Sequence, residues 1–362
     1  KPQTPNPKPQ TPNPKPLGNS LSMSRRLLLF TGVGLGLAGV KWYVTGKSNS
    51  YTHHLDSKVV IITGGTAGIG KETCRELVRL DADVIITGRD KKKAMKLMDE
   101  IQEENMKRNN MSAKVQFIPV DFSDLKEVKR FADDFLSTGA KLHLLVNNAG
   151  QSNDKLHRTA QGQEMTMGVN HLAPVYLTHL LMPALAKTPE SRVINVSSEA
   201  HRNMGAKQFD PPFEDYFFDN VNEKTYKNWD AYANSKLGNI YFTHALDEYI
   251  KTRKLDMKTA SLHPGVIRTE FFRGFPDWVQ TGLKIVYPVV WLLTKSEKEG
   301  AQTTLACSLM PFQRLQSGAY YKECEVINPS EAALNKEKNI KAWRLTVDRL
   351  KKLTGEKEIF GQ

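Results

Sequence analysis

The sequence is poor in cysteine. Only Cys74, Cys307 and Cys324 occur among 362 residues, and their wide separation excludes a disulfide framework and a closely spaced cysteine zinc site. Such sparse use of cysteine is typical of a reducing compartment. The pair His53-His54 and the single His201 also lack ligand-like spacing to carboxylates or other histidines, so the sequence predicts no metal centre.

Acidic residues are absent from the first 50 positions. Seven of the 51 lysines and arginines lie there, so this segment carries seven of the twelve net positive charges and leaves +5 for the rest of the chain. The basic character is therefore largely an N-terminal property, which argues against nucleic-acid binding by the folded body. The hydrophobic content of 40% is ordinary for a globular core.

The first segment, residues 1–22, is expected to lie outside the fold. It repeats the motif Lys-Pro-Gln-Thr-Pro-Asn-Pro, and proline at this density favours an extended, solvated, disordered arm. Met23 is a plausible initiator, in which case the arm lies upstream of the natural start. We therefore leave these residues out of the fold assignment.

Residues 23–50 are predicted to be a membrane anchor or a targeting segment. The pair Arg25-Arg26 precedes an uncharged apolar run of 14 residues, 27–40, which corresponds to roughly 21 Å of helix. That is short against a hydrocarbon core of roughly 30 Å, but Lys41 can snorkel and Trp42-Tyr43-Val44 supplies interfacial aromatics. The same order fits a cleaved secretory signal or a mitochondrial presequence. The prediction is membrane association, in the endoplasmic reticulum or the mitochondrion.

From residue 51 to 362 strand and helix patterns alternate, with no internal boundary. Short apolar runs rich in β-branched residues predict strands that are buried on both faces. These strands are Val59–Thr63, Val84–Thr87, Val115–Val120, Leu142–Val146, Val193–Val196 and Thr259–Leu262. Amphipathic segments such as Lys71–Leu80 and Lys91–Asn105 lie between them. The pattern predicts one α/β domain of the Rossmann type, a doubly wound parallel sheet with helices on both faces.

A glycine-rich turn, Thr63-Gly-Gly-Thr-Ala-Gly-Ile-Gly70, follows the first predicted strand and enters a helix near Ile69. Gly64 allows a tight turn, Gly68 lets the backbone approach a pyrophosphate, and Gly70 lets the helix pack on the sheet. Phosphates would then lie at the positive end of the helix. The turn therefore predicts a dinucleotide site.

Charged residues after the next two strands bear on the choice of cofactor. Arg89 follows the second strand, where a guanidinium suits the 2′-phosphate of NADP, although a solvated loop arginine is the alternative. Asp90 follows it and could accept from the ribose hydroxyl of NAD, so NADP is favoured and NAD stays open. Asp121, after the third strand, is placed to accept from the adenine amino group. Its alternative role is a helix cap, which Asp124 could also supply.

Tyr232 and Lys236 are four residues apart and therefore lie on one face of a helix. Hydride transfer to a carbonyl leaves an alkoxide that must be protonated, and a phenol with a reference pKa of about 10 is poorly poised for this near neutrality. The charge of Lys236 favours the tyrosinate, so Tyr232 is predicted to be the general acid in reduction and the general base in oxidation. Ser198 can hydrogen-bond the substrate oxygen as negative charge develops.

Taken in order along the chain, these motifs resemble the short-chain dehydrogenase/reductase family over residues 57 to about 325. The matching motifs are Thr63-Gly-x-x-x-Gly-x-Gly70, Asn147-Asn-Ala-Gly150, Asn170, Ser198, Tyr232-x-x-x-Lys236 and Pro264-Gly-x-x-x-Thr269. Further stretches, among them Ile194-Asn-Val-Ser-Ser-Glu-Ala-His201, resemble the retinol dehydrogenase branch. Members of that branch act on retinol, retinal or related lipid carbonyls, and many carry an N-terminal membrane anchor.

The resemblance implies a role for each matching residue. Asn170, Ser198, Tyr232 and Lys236 form the implied catalytic group, in which Asn170 holds a proton-relay water and Lys236 also holds the nicotinamide ribose. Alignment with the family pattern selects Ser198 rather than its neighbour Ser197. Besides Arg89, Asp121, Tyr232 and Lys236, the implied cofactor contacts are Thr63, Gly64, Gly68, Ile69, Gly70, Asn148, Ala149, Gly150, Pro264, Gly265, Val266 and Thr269.

Two segments depart from the family pattern or extend it. Ser198 and Tyr232 are 34 positions apart, and the aromatic-rich stretch between them could shape the pocket, bind a partner or simply pack. Residues 271–293 are apolar and correspond to the family's substrate lid, which suits a lipid-like substrate or a membrane surface. The alternative is a helix packed on its own domain.

The sequence therefore predicts an NADP(H)-dependent oxidoreductase that transfers a hydride to or from a small hydrophobic carbonyl or alcohol. The expected partners are that substrate and a membrane, contacted through the N-terminal segment, with no nucleic acid. A homo-oligomer or a larger membrane assembly is compatible with the sequence. The alternative is a catalytically silent accessory subunit of a membrane assembly that retains the nucleotide-binding fold.

Overall fold

The computed structural model describes residues 38–109, 114–203, 221–267 and 291–362. The predicted arm, residues 1–22, and most of the predicted anchor therefore lie outside the described residues. Residues 1–43 and 44–362 are two separate compact units. Among the residues described, no helix combines the length and the apolar character needed to cross a bilayer.

The unit formed by residues 44–362 is built on one sheet, and its described strands have the order β3-β2-β1-β4-β5-β6-β7-β8. They are β1 (Val59–Thr63), β2 (Asp83–Gly88), β3 (Val115–Pro119), β4 (Leu144–Asn147), β5 (Ser191–Val196), β6 (Met257–His263), β7 (Tyr320–Lys322) and β8 (Glu325–Ile327). Every neighbouring pair is parallel except β7 and β8, which are antiparallel. From β1 the successive strands are added on one side as far as β3, and β4 then starts a second series on the other side of β1. The position between β1 and β4 is therefore the topological switch point.

Helices cover both faces of the sheet. The longer ones are α1 (Gly68–Arg79), α2 (Lys91–Lys107), α3 (Leu125–Ser137), α4 (Ala173–Ala186), α5 (Asn228–Arg253), α6 (Glu297–Leu309) and α7 (Lys336–Thr354). Apolar residues of α3, α4, α5 and α7 form one buried cluster with the sheet, and those of α1, α2 and α6 form a second. The predicted doubly wound α/β fold is confirmed.

The apolar runs of the central strands explain these two layers. Successive strand residues point to opposite faces, so Ile61 joins the first cluster while its neighbours Val60 and Ile62 join the second. All three are essentially inaccessible to solvent. A strand buried on both faces needs apolar residues at every position, which is why these runs do not alternate with polar residues.

Three elements differ from the sequence prediction. β3 is an edge strand with exposed residues at Gln116 and Pro119, so it is not buried on both faces. The short strands β7 and β8 were not predicted, because three residues each carry too little periodicity. The charged, amphipathic pattern of Glu331–Leu353 predicts one C-terminal helix, but the helix is interrupted at Asn335, whose side chain accepts a hydrogen bond from Lys338 N and begins α7.

A short strap upstream of β1 is hydrogen-bonded to a later part of the chain. In this strap, residues 44–51, the hydroxyl of Thr45 donates to Glu299, the backbone N–H of Lys47 donates to Glu323 and that of Asn49 donates to Gln302. These bonds fix the strap against α6 and the β7–β8 turn. The compact unit accordingly begins at residue 44, before the predicted start at residue 51.

Candidate active site

A cavity of about 830 Å³ lies at the carboxyl ends of the parallel strands, across the switch point between β1 and β4. Open α/β sheets bind ligands at this position. Of the predicted site residues, the following line it: Gly64, Gly68, Ile69, Arg89, Asp121, Asn148, Ala149, Gly150, Ser198, Tyr232, Lys236, Gly265 and Val266. Thr63, Gly70, Asn170 and Pro264 are not part of its lining, and Thr269 lies outside the described residues.

The glycine-rich turn is held to the end of β4 by hydrogen bonds in both directions. The Thr63 hydroxyl accepts from the backbone N–H groups of Asn148 and Ala149, at 3.0 and 2.9 Å. The Asn148 side-chain amide donates to the carbonyl oxygens of Thr63 and Gly64, at 2.9 and 3.2 Å. The ends of β1 and β4 therefore form one interlocked edge.

Glycine is required at two positions of the turn for different structural reasons. Gly68 has φ +57°, and a Cβ placed there would meet no atom within 4 Å, so its backbone faces open space at the start of α1. A Cβ on Gly70 would lie 2.5 Å from Asn148 Nδ2 and 2.5 Å from the Gly64 carbonyl oxygen. Gly70 thus permits contact with the interlocked loop, whereas the sequence assigned it to helix–sheet packing.

The acidic residues near the cavity differ in the hydrogen bonds that their carboxylates accept within the protein. Asp90 caps α2 by accepting from Lys93 N at 3.0 Å, and these bonds lower its carboxyl pKa. Asp124 caps α3 by accepting from Lys126 N at 2.9 Å. Asp121 is therefore not the cap of α3, although one of its carboxylate oxygens accepts from Ser123 N. Arg89 is exposed on the cavity wall.

Lys236 and Asn170 are both buried, and of the two Lys236 lines the cavity. The Lys236 ammonium donates to the Val196 carbonyl at 3.1 Å and lies 5.5 Å from the centre of the Tyr232 ring. Asn170 occupies a π-helical turn, residues 168–172, before α4. Its side chain accepts from the backbone N–H of Gln151 and donates to the carbonyl of the same residue, at 2.8 and 2.9 Å. This paired bond fixes the backbone after β4 beside Lys236.

The two serines after β5 have different environments. Ser197 is buried, and its hydroxyl donates to the Lys236 carbonyl at 2.7 Å, so it joins β5 to α5. Ser198 is only half-buried and lines the cavity. Its hydroxyl accepts from Ala200 N at 3.2 Å. The two hydroxyls can have such different surroundings because consecutive residues at the end of a strand point in opposite directions.

A polar network behind Ser198 was not predicted from the sequence. The Glu199 carboxylate accepts from Lys322 Nζ at 2.7 Å and from Arg202 Nε at 2.8 Å. Burial alone would raise the pKa of Glu199, but these cations bring it down to about 2. His263 accepts from Glu199 N at 3.2 Å, and burial lowers its pKa to about 3, so the imidazole is neutral. His263 also lines the cavity.

The loop after β6 is supported from below by a buried lysine. Gly265 has φ +95°, and a Cβ there would lie 2.5 Å from Lys295 Cδ. Lys295 N donates to the Val266 carbonyl at 2.8 Å, and its ammonium pairs with Glu323 at 2.6 Å. The Lys47 backbone N–H donates to the same carboxylate, so the strap and the cavity loop share one ion pair.

The fold also brings together a group that spacing along the chain did not reveal. His54, Asp56 and Asp81 have potential ligand atoms within 4.8 Å of one another, and His54 contacts Asp81 directly. The first two are exposed, and the group lies away from the cavity lining. The aromatic stretch at 209–218 and residues 271–290 of the predicted lid fall outside the described residues.

Known proteins support this architecture. A family profile described as short chain dehydrogenase matches residues 58–209. The chain is 36% identical to retinol dehydrogenase 11 of Homo sapiens over 304 residues, which is 83% of this chain and 87% of that protein. It is 31% identical to dehydrogenase/reductase SDR family member 13 of Homo sapiens, over 88% of this chain and 80% of that protein.

Among solved structures, the fold is similar to that of an uncharacterised protein from Mycobacterium paratuberculosis, with a TM-score of 0.63 and 25% identity over 84% of this chain and 98% of the other. The cavity at the switch point, with a glycine-rich turn at its rim, defines a dinucleotide-binding α/β oxidoreductase. The chain belongs to the short-chain dehydrogenase/reductase family, on its retinol dehydrogenase-like branch.

Replacing Gly70 by alanine tests the interlocked edge. The added Cβ collides with Asn148 Nδ2 and the Gly64 carbonyl, and overpacking of this kind costs about 1–3 kcal/mol. Because the turn must shift, we expect nucleotide binding to weaken by roughly tenfold or more, since about 1.4 kcal/mol corresponds to tenfold in Kd. Titration with the nicotinamide cofactor, followed by fluorescence, measures the change.

Gly139→Ala is the matched control. Gly139 also has positive φ, at +67°, but a Cβ there meets nothing within 4 Å, and it lies between α3 and β4 at the opposite edge of the sheet. It should lose about 1–2 kcal/mol of stability from backbone strain without a change in Kd. Unchanged affinity in Gly70→Ala would show that the turn does not touch the nucleotide.

Proposed function

We propose that the protein is an NADP(H)-dependent oxidoreductase that transfers a hydride to or from a hydrophobic carbonyl or alcohol, of the retinoid or another lipid class. The observation that carries this proposal is the shared cavity, in which Ser198, Tyr232 and Lys236 face the same space as the glycine-rich turn. A phenol that can donate a proton, an ammonium group and a serine hydroxyl thus lie in the same cavity as the glycine-rich turn that would bind the dinucleotide.

The glycine-rich turn fits the phosphates of such a cofactor. Gly68 leaves the backbone bare at the N-terminus of α1, a helix of 12 residues whose positive end favours anions. A side chain at this position would fill the approach. The nicotinamide, when bound, supplies or accepts the hydride.

The protein's own side chains manage the proton and the charge. In reduction, the Tyr232 hydroxyl donates its proton to the substrate oxygen, and in oxidation the tyrosinate takes it back. The Lys236 ammonium, 5.5 Å from the ring centre, stabilises the tyrosinate. Ser198 Oγ donates a hydrogen bond to the substrate oxygen as its negative charge grows. Asn170 holds the backbone beside Lys236 and, by likeness to the family, a relay water.

The charges near the end of β2 favour NADP over NAD. Arg89 lines the cavity and offers a cation to a 2′-phosphate. Asp90, the residue that could hold an NAD ribose hydroxyl, is already engaged as the cap of α2 and pairs with Lys93 at 3.3 Å. An acceptor committed to its own helix is a poor ribose ligand.

An apolar substrate is supported by the rim of the cavity. Trp229 and Val266 line it and are 61% and 53% exposed. Large apolar side chains left in water at a cavity mouth favour a ligand that covers them. The purified protein should therefore oxidise NADPH in the presence of retinal, a steroid carbonyl or a long-chain aldehyde. Cofactor binding without turnover on all three would favour the accessory-subunit alternative.

Tyr232→Phe should abolish turnover and leave cofactor binding nearly intact. The hydroxyl donates the proton while the ring only packs, and a positioned acid–base group contributes roughly 10²- to 10⁴-fold. Tyr241→Phe is the control on the same helix, because its hydroxyl donates to the Ala332 carbonyl at 2.9 Å, away from the cavity lining. Initial rates of NADPH oxidation decide the matter, and more than a tenth of wild-type activity in Tyr232→Phe contradicts the mechanism.

Arg89→Asp should shift cofactor preference from NADPH toward NADH. It removes a phosphate partner and adds repulsion, and a hydrogen bond to a charged group contributes about 1.5–3 kcal/mol, or roughly 10- to 150-fold in Kd. Arg108→Asp makes the same charge change at the opposite end of α2 and should leave the preference unchanged. Equal NADPH affinity in Arg89→Asp and wild type would mean that Arg89 faces solvent.

We also propose that residues 23–43, the part of the predicted anchor that precedes the folded unit, attach the protein to a membrane, as the basic pair and apolar run suggest. A chain beginning at residue 44 keeps the strap bonds of Thr45, Lys47 and Asn49, so it should stay folded. Alkaline carbonate should extract this truncated chain and leave the full-length chain in the membrane pellet. Retention of the truncated chain would indicate a second membrane contact, and extraction of the full-length chain would indicate a targeting peptide instead.

A further inference from the structure

His201 is fully buried in the single turn Ala200–Asn203 that follows Ser198. Both of its ring nitrogens have partners. Nδ1 lies 2.5 Å from the Ser198 carbonyl oxygen, and Nε2 lies 3.1 Å from the backbone nitrogen of Ser330. The ring also meets the Tyr320 ring edge-on, with centroids 5.0 Å apart. The imidazole therefore has one defined position between the cavity wall and the C-terminal segment.

The two partners fix the tautomer of this ring. A backbone N–H can only donate, so Nε2 must be the unprotonated acceptor of the bond from Ser330. A carbonyl oxygen can only accept, so Nδ1 must carry the hydrogen that is donated to Ser198. One neutral tautomer satisfies both bonds. Burial lowers the pKa of His201, which agrees with a neutral ring.

The backbone around Ser198 is held on both sides. On the preceding side, Ser197 N donates to the Leu262 carbonyl at 2.7 Å. On the following side, His201 holds the Ser198 carbonyl and His263 accepts from Glu199 N at 3.2 Å. The peptide after Ser198 is thus held at its carbonyl, which accepts from His201 Nδ1–H and from the His201 backbone N–H at 3.3 Å, and at its N–H, which donates to His263. Rotation of this peptide would break these bonds, and the imidazole of His201 adds to the restraint that the backbone provides.

We propose that His201 is a positioning residue, which orients the Ser198 hydroxyl toward the substrate oxygen by holding the Ser198 carbonyl through Nδ1–H. This inference rests on the proposed function, because it needs the Ser198 hydroxyl to act on substrate. A purely structural role would depend on the other ring nitrogen, Nε2, which accepts the hydrogen bond from the Ser330 backbone N–H and so holds the C-terminal segment. The two roles use opposite edges of one ring and can be separated.

Asparagine and glutamine separate them, because each retains a different part of the imidazole. The amide introduced by His201→Asn can donate from near the position of Nδ1, whereas the amide introduced by His201→Gln can accept from Ser330 near the position of Nε2. We expect His201→Asn to keep kcat within roughly threefold and His201→Gln to lose about 10- to 100-fold, the range for a misplaced group near the chemistry. KM for NADPH should change in neither. The reverse order, or equal losses in two folded variants, overturns the proposal.

Ser330→Ala provides a control from the other side of the ring. It removes the hydroxyl that caps the following turn by accepting from Ala333 N, but it keeps the backbone N–H that donates to His201 Nε2. This variant should lower stability and spare kcat. A fall in kcat in Ser330→Ala as large as that in His201→Gln would trace the loss to the C-terminal segment and overturn the proposal.

A double-mutant cycle shows whether His201 acts through Ser198. In the Ser198→Ala background the hydroxyl is gone, so adding His201→Gln should lower the residual kcat no further, whereas independent roles would multiply. Multiplying losses overturn the proposal.

Histidine-selective ¹⁵N NMR of the full-length wild-type protein reads the tautomer without any turnover. The Nδ1–H form is expected at His201, and the Nε2–H form overturns the inference. An Nδ1–H signal in a protein that reduces no carbonyl would instead indicate that the proposed function is wrong.

Discussion

The interlock between Thr63 and the Asn148–Ala149 peptide is the interaction on which the site depends. Two backbone N–H groups of the β4 end donate to one hydroxyl, and one side-chain amide returns bonds to the β1 end. Parallel strands alone would leave these ends as separate loops. Once joined, they set the height of the turn above α1, and the absence of a Cβ at Gly70 is the condition that lets them meet.

The buried ammonium of Lys236 is also held at the carboxyl edge of the sheet. Lys236 is 4% exposed, and an ammonium in such a place needs compensating oxygens. The β5 end supplies the Val196 carbonyl, and the position of that carbonyl depends on Ser197, which in turn bonds back to the Lys236 carbonyl. The lysine and the strand end therefore fix one another, and they hold the charge 5.5 Å from the centre of the Tyr232 ring.

The sequence predicted strands β1 to β6, the doubly wound sheet and the cavity-lining motifs, because each rests on a local pattern: β-branched runs, a glycine-rich turn, or an i,i+4 pair on one helix. It did not predict that β3 lies at the edge or that β7 and β8 exist. It also missed Glu199 and Lys322, whose contact joins residues 123 positions apart. Such contacts depend on which strands become neighbours, and no short window of sequence contains that information.

The irregular segments at the carboxyl edge described above are each held by a polar residue, through its side chain or, for Lys295, through its backbone N–H. Asn148 holds the glycine-rich turn, Asn170 holds the backbone after β4, His201 holds the segment after β5, and Lys295 supports the loop after β6. Loops of this kind would otherwise leave their polar groups to water, which reorients as charge moves. Fixed dipoles need no reorientation when an oxygen becomes negative, and that is how a preorganised site lowers a barrier. We therefore infer that the polar residues behind the cavity contribute to the proposed chemistry, although only some of them line the cavity.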